Sequence, residues 1–161
     1  MIKFKIKSLI IIFTAFLSAL VLMYSCSREK PMEKRIIFPG ESWSRFNILK
    51  FEFPVTESGK SYDFILVLRI KKSFPYEGLP LNMVLNSPSG EERIKEYLFQ
   101  VKDKNGSFKG TANGDTCIIE LVLKRGLNCS SKGMMKVEIE NLNPRLATEG
   151  VFSTSLLLVK H

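Results

Sequence analysis

The chain has 161 residues, 45% of them hydrophobic, and a formal charge of +8, which allows one sizeable buried core and leaves little room for a second domain. Its lysines and arginines are scattered along strand and turn segments, without the clustered footprint or aromatic signature of an RNA-binding module, so no nucleic-acid partner is expected. The one histidine is the last residue, His161, which removes histidine triads and multi-histidine zinc sites from consideration.

In chain order, Lys3, Lys5 and Lys7 precede an almost unbroken apolar run over residues 9–24 that stops at Ser25-Cys26. A positive front, an apolar core and small residues at its end make a secretion signal, and the run is short of the roughly 20 residues that span a bilayer. Leu22-Met23-Tyr24-Ser25-Cys26 reads as a lipobox with an aliphatic residue at minus three and a small one at minus one, Tyr24 being its departure. The cysteine is required because its sulfur accepts the diacylglycerol before cleavage. The expectation is a signal peptide over 1–25 and Cys26 as the lipid-bearing residue that holds the protein on a membrane. A polar flexible tether follows over 26–34, and one domain over 35–161.

Period-two alternation dominates the domain. Tyr62, Phe64, Leu66, Leu68 and Ile70 form one such series, and Leu79, Leu81, Met83 and Leu85 another. Met135, Val137 and Ile139, then Phe152, Thr154, Leu156 and Leu158, complete the half-buried strands. Further strands are predicted over 35–38, 46–53, 96–101 and 116–124, bounded by Pro, Gly, Asn and Asp signals. Turns are placed at Ser58-Gly59-Lys60, Ser87-Pro88-Ser89-Gly90, Asn105-Gly106 and Arg125-Gly126, and one helical turn is entertained over 91–95. Eight or nine short strands without intervening helices predict an all-β antiparallel sandwich, immunoglobulin-like or jelly-roll-like.

No phosphate-binding loop is present. Asp63, Asp103 and Asp115 are not paired as a glycosidase would need. Asp103-Lys104-Asn105-Gly106 resembles the start of a calcium loop but lacks its later acids, and reads as a hairpin. No cofactor, metal site or enzymatic activity is expected. Cys117 and Cys129 lie in a chain routed to a compartment that permits oxidation. Their spacing leaves open whether they pair or stay as thiols, and a bridge would add about 2–3 kcal/mol. Most aromatics, Trp43, Phe46, Phe51 and Phe53 among them, sit at strand spacing and read as core. Phe74 and Tyr76 differ, standing in the connection Lys71-Lys72-Ser73-Phe74-Pro75-Tyr76. Exposed, they offer a contact for a protein partner or a glycan. The alternative is that they fold back over the open end of the sandwich.

The run 62–69, Tyr-Asp-Phe-Ile-Leu-Val-Leu-Arg, followed by Phe74-Pro75-Tyr76-Glu77-Gly78-Leu79-Pro80-Leu81, resembles the core of the gliding motility lipoprotein GldH family of Bacteroidetes. The resemblance continues through Pro88-Ser89-Gly90, through Asp103, Gly106, Phe108 and Gly110, and more loosely through Ile139-Glu140, Leu146, Gly150-Val151 and Leu156. Phe108 stands where the family commonly has Trp, and Asn143-Pro144-Arg145 replaces a Met-Arg stretch. These motifs are turns and strand faces, so they speak to fold before function. The resemblance implies a noncatalytic, membrane-anchored cell-envelope lipoprotein, tied in gliding members to surface motility and its secretion machinery. Other cell-envelope proteins would be its partners. The expected location is the outer membrane, with the domain in the periplasm and surface exposure open. An envelope-displayed carbohydrate-binding module is the alternative.

Overall fold

The computed structural model describes residues 30–161, so the leader and Cys26 lie outside the described residues. Eleven strands make up the described part: β1 (Met32–Ile37), β2 (Ser42–Ser44), β3 (Leu49–Val55), β4 (Lys60–Lys71), β5 (Gly78–Asn86), β6 (Glu92–Gln100), β7 (Thr111–Asn113), β8 (Thr116–Cys129), β9 (Gly133–Asn141), β10 (Ala147–Glu149) and β11 (Val151–Lys160). One sheet has the order β1-β11-β4-β8-β7 and the other β3-β9-β5-β6, with a small β10-β2 ribbon beside them. Every pairing is antiparallel, and the fold is the β-sandwich the alternation predicts.

The core follows from period two. On β4, Tyr62, Phe64, Leu66, Leu68 and Ile70 are buried while the residues between them stay partly open. They face Leu79, Leu81, Met83 and Leu85 of β5, with Met135, Val137 and Ile139 of β9 and Phe51 and Phe53 of β3 completing the layer. Burying a side chain of this size is worth about 1.5–3 kcal/mol, so one-residue slips of the central strands are strongly opposed. At the sheet margin the Tyr97 hydroxyl donates to the Leu123 carbonyl at 2.6 Å, tying β6 of one sheet to β8 of the other. Burial of that phenol raises its pKa.

The strand ends differ from the sequence expectations in four places. Met32, Glu33 and Lys34, assigned to the tether, are already paired with Leu158, Leu157 and Leu156. Residues 92–95 are strand rather than helical turn, paired with 83–86 of β5. The strand expected from residue 46 begins at Leu49. Arg125-Gly126 is not a turn, because β8 runs on to Cys129 through a bulge that shifts the register opposite Tyr62 and Phe64. At the bulge Gly126 has φ 58° and donates its N–H to Asp63 Oδ1 at 2.7 Å, a left-handed geometry that suits glycine.

The Asn105-Gly106 hairpin forms as expected. The Asp103 carboxylate accepts the N–H groups of Asn105 and Ser107 at 2.8 and 2.9 Å, so that acid closes a turn. Four residues on, a Cβ on Gly110 would lie 2.1 Å from the Ile118 carbonyl oxygen. Only glycine lets the incoming chain lie so close to β8.

Candidate functional site

The two ends of the sandwich are distinct. Lys30 and Met32 lie beside Pro54, Thr56, Tyr62 and Leu158, so the chain enters at the end where β3 and β11 finish and β4 starts. The 12 residues of β4 at about 3.3 Å each put the other end roughly 40 Å away. That far end is built from the loops that follow β1, β2, β4 and β9.

A buried polar network shapes it. Trp43 is fully buried and stacks on Phe38, centroids 5.7 Å apart, and its indole N–H donates to the Asn47 carbonyl at 2.9 Å. Asn141, also fully buried, donates through Nδ2 to Thr148 Oγ1 at 2.8 Å and to the Trp43 carbonyl at 3.2 Å. Its side-chain oxygen accepts the Asn143 N–H, and Asn143 Oδ1 in turn accepts that of Arg145. The Asn141 side chain therefore ties the start of the 142–146 loop to the β2–β10 ribbon. The Arg45 N–H donates to the Leu146 carbonyl at 2.9 Å, which joins the loops that carry Phe46 and Leu146 at this end.

Those two side chains are open to solvent, Phe46 at 79% and Leu146 at 72%, and Ile48, two residues beyond Phe46, is 42% exposed. Core was expected at Phe46, and the structure places it outside. Leu49, Phe51, Phe53 and Val55 are buried on odd numbers, which puts Ile48 on the outward phase, while Phe46 stands in the turn closed by the Asn47 N–H on the Ser44 carbonyl. Leu146 carries no such signal, because it stands in a loop.

The aromatic pair picked from the sequence behaves otherwise. Phe74 is buried and joins the core, with its ring against Gly150. Tyr76 is half-buried, edge-on to Phe74 at 5.1 Å, under the Arg145 guanidinium at 5.8 Å. The pair thus closes the end of the sandwich, and an exposed Phe74 contact for a partner or glycan is corrected. Tyr76 and Arg145 form the shoulder of the Phe46–Leu146 tip.

Cys117 and Cys129 are both free and buried. They pair across to Ile70 and Lys60, at opposite ends of β4, and twelve residues of strand hold them on the order of 40 Å apart, against the 4–7 Å between α carbons that a bridge needs. The disulfide expectation is therefore corrected. Burial raises the pKa of both thiols. Among the described residues, no group of three or more His, Cys, Asp and Glu side chains is placed to hold a metal ion.

The exposed side chains at this end are apolar, with Arg145 and Tyr76 at their margin. A family model described as GldH lipoprotein matches residues 32–152. The chain belongs to this family. Among relatives, the gliding motility lipoprotein GldH of Flavobacterium johnsoniae is 28% identical over 124 residues, covering 77% of this chain and 76% of that protein. The GldH homolog of Christiangramia forsetii is 25% identical over 128 residues, 78% of this chain and 76% of the relative. The match takes in β1 through the start of β11, and with them both loops of the tip. Among solved structures, a 4-O-methyl-alpha-glucuronidase with specificity for decorated arabinogalactans aligns with 81% of this chain at 16% identity and a TM-score of 0.39. The chain spans 16% of that enzyme, and a likeness so low carries no argument here.

Proposed function

We propose that the protein is a noncatalytic envelope lipoprotein of the gliding machinery, anchored through acylated Cys26, that holds another envelope protein against its Phe46–Ile48–Leu146 tip. The observation that carries this reading is the location of the tip. Three exposed apolar side chains crown the end of the sandwich opposite the point where the chain enters from Cys26. Interface centres favour aromatic residues, and arginine is enriched with them. Single exposed apolar residues are ordinary, but this group is held in place by the buried Asn141 network.

Two or three acyl chains on one cysteine anchor stably where a single chain binds only marginally. From Cys26 to the first residue of β1, Met32, the tether reaches at most about 20 Å. The domain is then leashed close to the bilayer with its tip pointing away, toward partners in the periplasmic space of the outer membrane. Metabolic labelling with a fatty acid, in cells making wild type or Cys26→Ala, tests the anchor, and colony spreading of a deletion strain complemented with Phe46→Ser plus Leu146→Ser tests the tip. Labelling lost in Cys26→Ala and spreading lost in the tip variant at normal protein level are expected. Label absent from wild type, or full spreading with the tip variant, contradicts the reading.

A further inference from the structure

The end at which the chain enters differs from the tip in its charge. Lys60 opens β4, Lys160 closes β11 and Lys132 stands just before β9, so the strand ends bring three lysines to one corner. Glu57, in the turn between β3 and β4, takes Lys160 Nζ at 2.5 Å and Lys60 Nζ at 3.9 Å. Lys160, and after it Lys60 and Lys132, draws the Glu57 carboxyl below the usual range. Lys30 borders the same depression as Glu57 and Lys160, where Met32, Pro54 and Leu158 supply the apolar lining. Four ammonium groups thus gather around one carboxylate, which offsets one of them.

Other acids at this end are answered elsewhere. Asp63 accepts the Gly126 N–H and meets His161, and Glu91 is paired with Arg93. Glu92 opens β6, three places from β3 in the four-stranded sheet. Lys132 and Lys30 are exposed, and the Lys60 side chain is 44% exposed. Met134, 46% exposed, lies opposite Pro54 on the outer face beside them. Basic groups on long stems next to apolar side chains suit the boundary between lipid headgroups and acyl chains. What faces this surface follows from the chain that leads into it. With acylated Cys26 held in a bilayer, a tether of at most about 20 Å to Met32 keeps the lysines close to the headgroups. Basic clusters beside a membrane anchor gain from anionic lipid there.

We infer that the entry end seats directly on the bilayer, with Lys30, Lys60, Lys132 and Lys160 meeting the phosphates of anionic phospholipids and Met134 and Pro54 lying against the headgroup layer. The inference rests on the lipid-anchor reading above and adds to it a fixed orientation: the domain stands on its entry end rather than swinging on its tether.

The test is acetylation footprinting of lysines, read by mass spectrometry, on the full-length lipidated protein reconstituted in liposomes of phosphatidylcholine alone or with about one-third phosphatidylglycerol. Lys60 and Lys132 should react at least about threefold more slowly with phosphatidylglycerol present and recover at about 1 M salt, where screening is short-ranged. Lys50 and Lys72, nearer the tip, should react equally in both. In Lys60→Gln plus Lys132→Gln, the reactivity of Lys30 should return to within about twofold of its value in phosphatidylcholine, since each lysine near an anionic surface shifts the seated population roughly fivefold. Equal reactivity of Lys60 and Lys132 in the two liposomes, the same slowing at Lys50 and Lys72, or slowing by inorganic phosphate with phosphatidylcholine alone overturns the inference. Any of these in protein that floats with phosphatidylcholine liposomes defeats the seat and leaves the anchor standing. Protein that does not float with them defeats the anchor reading and the seat with it.

Discussion

Asn141 is the residue on which the tip depends. Its amide is fully buried, with Nδ2 shared between the paired strand residues Trp43 and Thr148 and Oδ1 taken by the Asn143 N–H of the following loop. Asn141→Ala should cost about 2–4 kcal/mol, since it leaves the Trp43 carbonyl, the Thr148 hydroxyl and the Asn143 N–H without their partner inside the fold. Chemical denaturation of the purified chain measures this, and a loss under about 0.5 kcal/mol would show that the network relaxes freely. Gly110→Ala should be at least as damaging, because the new methyl group meets backbone rather than a yielding side chain.

Asp63 supplies a pH-dependent prediction. The Gly126 N–H, and after it His161 at 3.2 Å, hold its carboxyl below the ordinary carboxylate range. A pKa lowered in the folded state gives stability that is present above the unfolded value of about 3.9 and lost as the pH falls through the folded one. Asp63→Asn keeps an acceptor for Gly126 but cannot titrate. Thermal unfolding from about pH 7 to pH 2 should therefore show a shallower acid loss in Asp63→Asn than in wild type, and parallel curves would sink the assignment.

At the scale of elements, the strands that could be read from the sequence are those with one face in the core. β4, β5 and β9 alternate cleanly, because burial fixes every second residue, whereas β11 buries four residues in a row from Ser153 to Leu156. β6 hid its first half: it is an edge strand whose residues 92–96 are all exposed, so no apolar period marks it. β2, β7 and β10 are three residues each, too short to show a period. The Arg125-Gly126 bulge looked like a turn because a bulge and a turn ask glycine for the same backbone. Of the site, the outward phase of Ile48 was readable, whereas Phe46 and Leu146 stand in loops joined by a hydrogen bond between segments distant in sequence. The Tyr97–Leu123 bond between sheets predicts that Tyr97→Phe loses about 1 kcal/mol, checked in the same denaturation experiment.

The described residues form a sandwich roughly 40 Å long by strand rise, with the chain's entry at one end and the apolar tip at the other. On the proposed reading, an anchor at the entry end would leave the other end free to hold a partner. The ribbon of β2 and β10 is where the two loops of the tip are joined, so changes that open it should release partners without unfolding the sheets.

The measurement that bears most directly on this account is site-specific photo-crosslinking in intact cells, with a photoreactive phenylalanine at position 46 and, as control, at position 94 on the exposed outer face of β6. One discrete crosslinked envelope protein from position 46, weak or absent from position 94 and lost with Cys26→Ala, is the predicted result. Equal crosslinking from both positions, or none from position 46 in labelled, membrane-bound protein, would contradict the tip as the place where this lipoprotein meets its partner.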